Sequence, residues 1–390
     1  MKIAYLLHEV LPAHKANTEQ VVRTAAALAA CGASVDLFFP GTKRPPEESA
    51  REISAFYGLG GEGLNGVRLI EGAVPTVFKD STRGILHHLS VIPQLDPQAY
   101  DVVYIRDIAA LWLGLRAKIP TLFETYRVNI NTRRRYGLWR RLNYRHPDLL
   151  GVVTHSRLAR KGFLRAGLPE DRVLVVYNGF DPASLRPALD TGEAREELGI
   201  ESSRPLVVYA GRIGPHKGTD ILVRIAAHLP EVDFLIVGAE IDSPEHATLL
   251  HLMDQEGVRN LSVRGQVTPA EVPAFLFAAD CLIMPPSSRP LEIHGRTVLP
   301  IKTFNYLAAG RPIVAGDLPD VGEVLVDERN AVLTPPDRPR AAAKALRELL
   351  ADRDRMARLS AASLEDVQSY TWDARGRRVH RYIERLLAGR

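Results

Sequence analysis

Arg212 and Lys217 lie in VVYAGRIGPHKGTDILVRIAAHL, where an apolar run ends at Gly211 and a glycine-bounded loop leads to an amphipathic segment opening at Gly218. That order reads as strand, loop and helix. A helix amino terminus offers unpaired N–H groups and the positive end of the helix dipole. A guanidinium and an ammonium beside it would neutralise a pyrophosphate. The plain alternative is a solvated turn with two surface cations. It is not a P-loop, because no G-x-x-x-x-G-K-[ST] occurs.

A second polar cluster follows in PPSSRPLEIHGRTVLPIKTFNYLAAGRPIVAGDLPDVGEVL, where Glu292, His294, Arg296, Thr297 and Lys302 fall within eleven positions. The cluster sits after a predicted strand and before a predicted helix, the position at which open α/β sheets bind ligands. Elsewhere the signals are weaker. His8, His155 and His294 are not spaced as a metal site, and HEVLPAH is not H-E-x-x-H, since His14 lies six positions after His8. No D-x-D pair stands beside a predicted strand end, so no metal ligand set is assigned. Asp101, Arg106 and Asp107 close a predicted strand and read equally as site residues or as a structural ion pair. In NTRRRYGLWRRLNYRHP, arginines interleave with Tyr136, Trp139 and Tyr144. Residues 133–145 could touch an anionic membrane or an acidic acceptor, or form a helix whose leucines and aromatic stems pack on the core.

These residues need a scaffold, and 390 residues exceed the size at which one core usually stops growing. Apolar runs rich in Val, Ile and Leu alternate with amphipathic stretches, the pattern of parallel sheets covered by helices. The fold class is therefore α/β. Strands are expected at 2–7, 34–39, 102–105, 121–123, 151–154 and 173–176. A second series is expected at 206–210, 234–237, 261–264, 281–284, 313–315 and 331–333. Helices are expected at 19–31, 218–228, 269–278, 303–309 and 339–351, a mobile loop with one short helix at 42–66, and an interdomain linker at 181–205. Apolar residues make up 46% of the chain and charged residues 25%, with a formal net charge of +4. Such a balance suits anionic ligands without indicating nucleic acid. No apolar stretch is long enough to span a membrane. The N-terminal run lacks a cleavage site, and two distant cysteines fit a reducing cytoplasm.

The motif G-R-x-x-x-x-K-G, the strand before Gly238 and K-T-F-N-Y-L-A-A-G-R-P-I-V-A resemble the retaining family-4 glycosyltransferases of GT-B fold, in which two Rossmann-like domains face across a cleft. ANTEQVVRTAAALAACGASVDLF, VVTHSRLARKGFLRAG, VVYNGFDPASLRP and YTWDARGRRVHRYIERLL extend the resemblance over nearly the whole chain. The resemblance implies an acceptor domain at 1–185, a donor domain at 186–368 and a closing helix at 369–390. It implies metal-independent transfer of a hexose-type sugar from a UDP- or GDP-sugar to an acceptor hydroxyl, with no cofactor. Arg212, Lys217 and Thr297 would be catalytic. Gly211, Gly238, Glu292, His294, Gly295, Arg296, Val298, Leu299, Lys302 and Asn305 would surround the donor. His8, Asn17, Tyr126 and Arg127 would lie on the acceptor side.

The chain departs from the family where two glutamates usually stand eight positions apart, here Thr297 and Asn305, and where a histidine touches the donor sugar, here Tyr126. The early glycine pair is Ala16-Asn17. A nucleotide-sugar isomerase or hydrolase of the same architecture would require paired acid and base groups. A non-catalytic binding protein would have little reason to keep the phosphate clamp.

Overall fold

The computed structural model describes residues 1–42, 44–59, 63–74, 80–132, 136–294 and 299–390. The chain divides into two compact units, Met1–Gly179 with Thr371–Arg390, and Phe180–Tyr370.

In the first unit the strands are β1 (Lys2–Leu6), β2 (Ser34–Gly41), β3 (Val67–Ala73), β4 (Val102–Ile105), β5 (Thr121–Glu124), β6 (Leu149–Thr154) and β7 (Val173–Val175). They form a parallel sheet in the order β3-β2-β1-β4-β5-β6-β7. Its helices are α1 (Ala16–Ala30), α2 (Pro46–Tyr57), α3 (Asp80–Val91), α4 (Ile108–Gly114), α5 (Asn129–Thr132), α6 (Gly137–Tyr144) and α7 (Arg157–Arg165). The C-terminal helix Trp372–Ala388 belongs to this unit and packs along α1.

Register fixes which side chains share a face. Tyr5, Leu37, Tyr104 and Leu122 point to the side covered by α1, α2 and the C-terminal helix, and the rings of Tyr5 and Tyr104 stack 4.4 Å apart. Leu6, Phe38, Ile105, Phe123 and Val152 point the other way, beneath α3 to α7.

The second unit opens with α8 (Thr191–Leu198), followed by β8 (Leu206–Ala210), α9 (Thr219–Ala227), β9 (Asp233–Ala239), α10 (Pro244–Gln255), β10 (Leu261–Gly265), α11 (Val272–Phe277) and β11 (Cys281–Ile283). It continues through α12 (Arg289–His294), α13 (Lys302–Ala309), β12 (Ile313–Gly316), β13 (Val332–Thr334), α14 (Pro339–Leu350) and α15 (Arg353–Val367). The sheet is parallel throughout, in the order β10-β9-β8-β11-β12-β13. Strand order reverses between β8 and β11, which makes their carboxyl ends the switch point where α/β sheets take ligands. The two sheets with their alternating helices are the GT-B arrangement.

Two expectations change, and the helix expected within 42–66 is present. The stretch 181–205 is not a bare linker. It contains α8, held by a capping box in which Asp190 accepts from the Glu193 N–H while Glu193 accepts from the Asp190 N–H. Arg195 then ties that helix to Ala278 O at 3.0 Å and to Asp280 at 2.6 Å. The unit boundaries fall at 179/180 and 370/371, where 185/186 and 368/369 were expected, and the two chain passages meet there: the Phe180 N–H donates to Tyr370 O at 2.9 Å. A side chain on Gly179 would lie 2.6 Å from the Thr371 backbone. Within 42–66 the described residues hold the twelve-residue α2, whose Ser49, Ile53 and Tyr57 are buried at helical spacing. Among the described residues, no helix is long and apolar enough to cross a membrane.

Candidate active site

The loop after β8 is built on glycines that cannot be replaced without strain. Gly211 leaves the strand at φ +156°, and Gly238, at the end of β9, has φ +107° with room for a Cβ only 3.1 Å from Gly211 O. Gly218 has φ +72° and begins α9. A Cβ there would meet the Ser287 Cβ at 2.8 Å, so the loop after β11 rests directly on the helix amino terminus. No side chain caps that end of α9. Its first N–H groups are therefore available to a ligand. Asp220 in the first turn is paired with Arg289 of α12 at 3.0 Å, which fixes α12 against the loop.

Three cations converge on this point. Arg212 is exposed, and Lys217 and Lys302 are half-buried. The Lys302 Nζ lies 3.8 Å from the centre of the Tyr209 ring, and a Cβ on Gly211 would fall 2.1 Å from it. Tyr209 is held in turn by donating to Arg212 O at 2.9 Å, and Tyr306 of α13 accepts from the Ala210 N–H at 2.7 Å. Burial first, and Arg212 second, lower the Lys217 ammonium from its usual value to about 8. Burial, then Lys217 and Arg212, push Lys302 well below the ordinary lysine range. No carboxylate among the described residues faces either lysine. Charges of one sign held together without a counter-ion are unfavourable until an anion arrives.

The other expected donor residues are distributed around this point. Asn305 is half-buried on α13, one turn beyond Lys302 and on the same side of that helix. Glu292 is exposed on α12. The Leu299 side chain is buried in the core, which leaves only its backbone for a ligand. Gly295, Arg296, Thr297 and Val298 lie outside the described residues, and of His294 only the backbone position in α12 is described. His216 beside Lys217 was not singled out from the sequence; burial, then Lys217 and Arg212, lower its pKa.

On the first unit, His8 follows β1, with its ring 6.3 Å from that of His88. Asn17 donates to Glu9, which also pairs with Lys15 at 3.4 Å. Tyr126 lies after β5 against His155, and the exposed Arg127 sits 5.7 Å over the Tyr126 ring. His8, Tyr126 and Arg127 lie just beyond the carboxyl ends of strands, and Asn17 lies in the first turn of α1. The neighbouring candidates are structural. Asp101 accepts from the Lys2 N–H at 2.7 Å, Asp107 caps α4 through the Ala109 and Ala110 N–H groups, and Arg106 donates to Gln20 at 2.7 Å. Among the described residues no group of three His, Cys, Asp or Glu is placed to hold a metal.

Two family models match the chain, Glycosyltransferase Family 4 over residues 18–184 and Glycosyl transferases group 1 over residues 190–366. A D-inositol 3-phosphate glycosyltransferase of Xylanimonas cellulosilytica is 32% identical over 231 residues, 57% of this chain and 54% of that protein. The chain spans about half the length of the curated relatives it matches first. Sucrose-phosphate synthase from Thermosynechococcus elongatus superimposes with a TM-score of 0.79 at 18% identity, covering all of both chains. The Anabaena protein HepE, solved in complex with UDP-glucose, superimposes with a TM-score of 0.72 at 19% identity, again covering all of both. At these identities the likeness shows the GT-B fold. With the two models accounting for nearly the whole sequence, the chain belongs to the family-4 glycosyltransferases.

Proposed function

We propose that the protein transfers a hexose-type sugar, with retention of configuration, from a UDP- or GDP-sugar to an acceptor hydroxyl. The observation that carries this reading is the cluster of Arg212, Lys217 and Lys302 at the uncapped start of α9, with no described carboxylate to neutralise it. The leaving diphosphate accumulates charge as the glycosidic bond breaks. Fixed cations aimed at that position stabilise the transition state more than the ground state. In this reading Asn305 bonds the ribose, and the segment 295–298, with Thr297, lies beside the phosphate and sugar. The acceptor is assigned to His8, Tyr126 and Arg127, at strand ends suited to ligands, and to Asn17 in the first turn of α1. UDP-glucose bound to the similar HepE supports a nucleotide-sugar donor. The two free cysteines, Cys31 and Cys281, suit a reducing cytoplasm.

No metal is assigned a role, since side chains supply the positive charge. Turnover should therefore persist in excess chelator, and loss restored by manganese or magnesium would refute this part of the mechanism. The decisive test is transfer and donor hydrolysis across a panel of nucleotide sugars, with and without candidate acceptors. Product with an acceptor present supports a transferase. Donor consumed equally without acceptor would indicate a hydrolase, isomerised donor an isomerase, and binding without turnover a non-catalytic protein.

A further inference from the structure

Six large apolar side chains of the first unit are exposed among its described residues, and all six lie on one helical layer. They are Ile85, Leu86 and Leu89 of α3, Trp112 of α4, and Leu138 and Leu142 of α6. The layer formed by α1, α2 and the C-terminal helix, on the opposite face of the sheet, contributes none. Helix α3 is turned inside out. It buries Gly84, His87 and His88 while its isoleucine and leucines face water. Helix α6 buries Asn143 and Tyr144 and packs Trp139 against the core, which leaves Leu138, Arg141, Leu142 and Arg145 outermost. Apolar side chains gathered on one side of a unit mark a surface meant to be covered.

Charge identifies what covers it. Among the described residues from Thr125 to Leu168 there are eight arginines and lysines and one acidic residue, Asp148. Helices α4, α6 and α7 contain no acidic residue. Arg157, Lys161 and Arg165 repeat at four-residue spacing on α7 and are exposed, and the Arg116 guanidinium lies 3.7 Å over the Trp112 ring. Two copies meeting through this layer would oppose arginine to arginine. A negatively charged bilayer instead accepts leucine, isoleucine and tryptophan at the acyl boundary and the cationic heads among its phosphates.

We infer that the α3–α4–α6–α7 layer of the first unit is a docking surface for an anionic lipid membrane, with α3, α4 and α6 lying in the interface plane. The contact is independent of the donor assignment, because none of its residues belongs to the cation cluster of the second unit. Leucine and tryptophan provide the buried area, while arginine and lysine provide the preference for negative lipid and its sensitivity to salt.

Flotation of the full chain with vesicles of phosphatidylcholine, with and without phosphatidylglycerol, tests the assignment. Wild-type protein should partition at least about tenfold more strongly into the phosphatidylglycerol vesicles, an advantage that high salt removes. Leu138→Glu with Leu142→Glu, and separately Leu86→Glu with Leu89→Glu, should each lower the partitioning about tenfold, at unchanged melting temperature. Arg141→Gln with Arg145→Gln should remove the lipid selectivity. Leu250→Glu, at an exposed leucine of α10 in the second unit, should change nothing. Equal flotation with neutral vesicles, an equal loss in Leu250→Glu, or a lipid-free dimer abolished by the α6 leucine substitutions would each overturn the proposal.

Discussion

The two units each withdraw charge from water, and they treat it in opposite ways. In the first unit Glu124 is 3% exposed and accepts from Arg375 at 2.6 Å, from Gln20 and from the Tyr104 hydroxyl, with Arg106 at 3.8 Å. Arg375 uses its remaining donors on Val176 O, Tyr177 O and Thr24. Burial pushes the Glu124 carboxyl up, yet Arg375 and Arg106 outweigh it and hold it below the usual range. In the second unit Arg212, Lys217 and Lys302 repel one another and have no such partner among the described residues. A satisfied buried charge fastens the structure, here the C-terminal helix onto α1 and β5. An unsatisfied one is tolerated where a ligand is to complete it.

If that contrast is right, removing a charge should damage function in one unit and stability in the other. Arg212→Ala or Lys217→Ala should lower turnover by orders of magnitude and weaken nucleoside-diphosphate binding by about 1.5–3 kcal/mol, the value of a charge-assisted hydrogen bond. The melting temperature should hold or rise, because a repulsion has gone. Calorimetric titration with UDP and GDP checks this, and wild-type affinity in both variants would refute the donor site. Lys217→Arg should be only partly tolerated, since a planar guanidinium does not reproduce an ammonium.

Arg375→Ala should do the reverse. It leaves the buried Glu124 with only the more distant Arg106 and the neutral donors of Gln20 and Tyr104, and breaking such a pair costs about 3–5 kcal/mol. The loss should appear in chemical denaturation, while variant protein that remains folded binds UDP or GDP as wild type does. A Glu124→Gln, Arg375→Met double variant should recover part of the stability, since no carboxylate is then buried without its arginine, and Arg106 keeps its hydrogen bond to Gln20. A selective loss of nucleotide affinity in Arg375→Ala would break the comparison.

The cation cluster also has a pH signature. With the Lys217 pKa at about 8 in the folded protein and about 10.4 in an unfolded chain, the unfolded state binds more protons between those values. The lysine therefore detracts from stability at neutral pH, and wild type should gain on Lys217→Met as pH rises through that window. Lys302, which burial also pushes well below the ordinary lysine range, changes stability with the same sign. Diphosphate binding should respond oppositely. It requires the ammonium form, so affinity should fall above about pH 8. Proton uptake should be visible as a buffer-dependent heat of binding. A pH-independent affinity between pH 7 and 9 would remove the lysines from the site.

Much of this arrangement was legible in the sequence, for physical reasons that also explain the rest. The β8–loop–α9 unit announces itself because glycines at positive φ, an apolar strand and a helix start are all local. The companions of Lys302 are not local: Tyr209 lies 93 positions earlier in the chain, and only the β8–β11 pairing and the packing of α13 bring ring and ammonium together. Arg375 likewise stands in a helix that reads as an ordinary amphipathic segment, and its partner Glu124 is some 250 residues away. Strand β3 has a weak signal because VRLIEGA alternates poorly at the edge of the sheet. The D-T-G-E capping box that begins α8 is a local signal, set among prolines that read as a linker. Helix α3 defeats periodicity itself, since it buries histidines and exposes leucines.

The smallest expected effect falls on Asn305, which decides how far the ligand site extends along α13. Lying one turn from Lys302, its amide is placed to serve the same ligand, at a position where the family resemblance implies a carboxylate. An amide accepts a ribose hydroxyl through one oxygen only. Asn305→Leu should weaken UDP or GDP binding by about 1–3 kcal/mol, because a ribose hydroxyl would be left without a partner. Binding of inorganic pyrophosphate, which has no ribose, should be unchanged. Asn305→Glu should preserve or tighten the nucleotide, and should raise the melting temperature of the free protein by giving Lys302 a counter-ion at i+3 spacing. If Asn305 serves only to pack α13, both substitutions will shift the melting temperature while UDP and pyrophosphate affinities stay together. Parallel titrations with the two ligands separate these outcomes, and a well-folded Asn305→Leu protein that binds UDP and GDP as wild type does would remove the ribose from this helix.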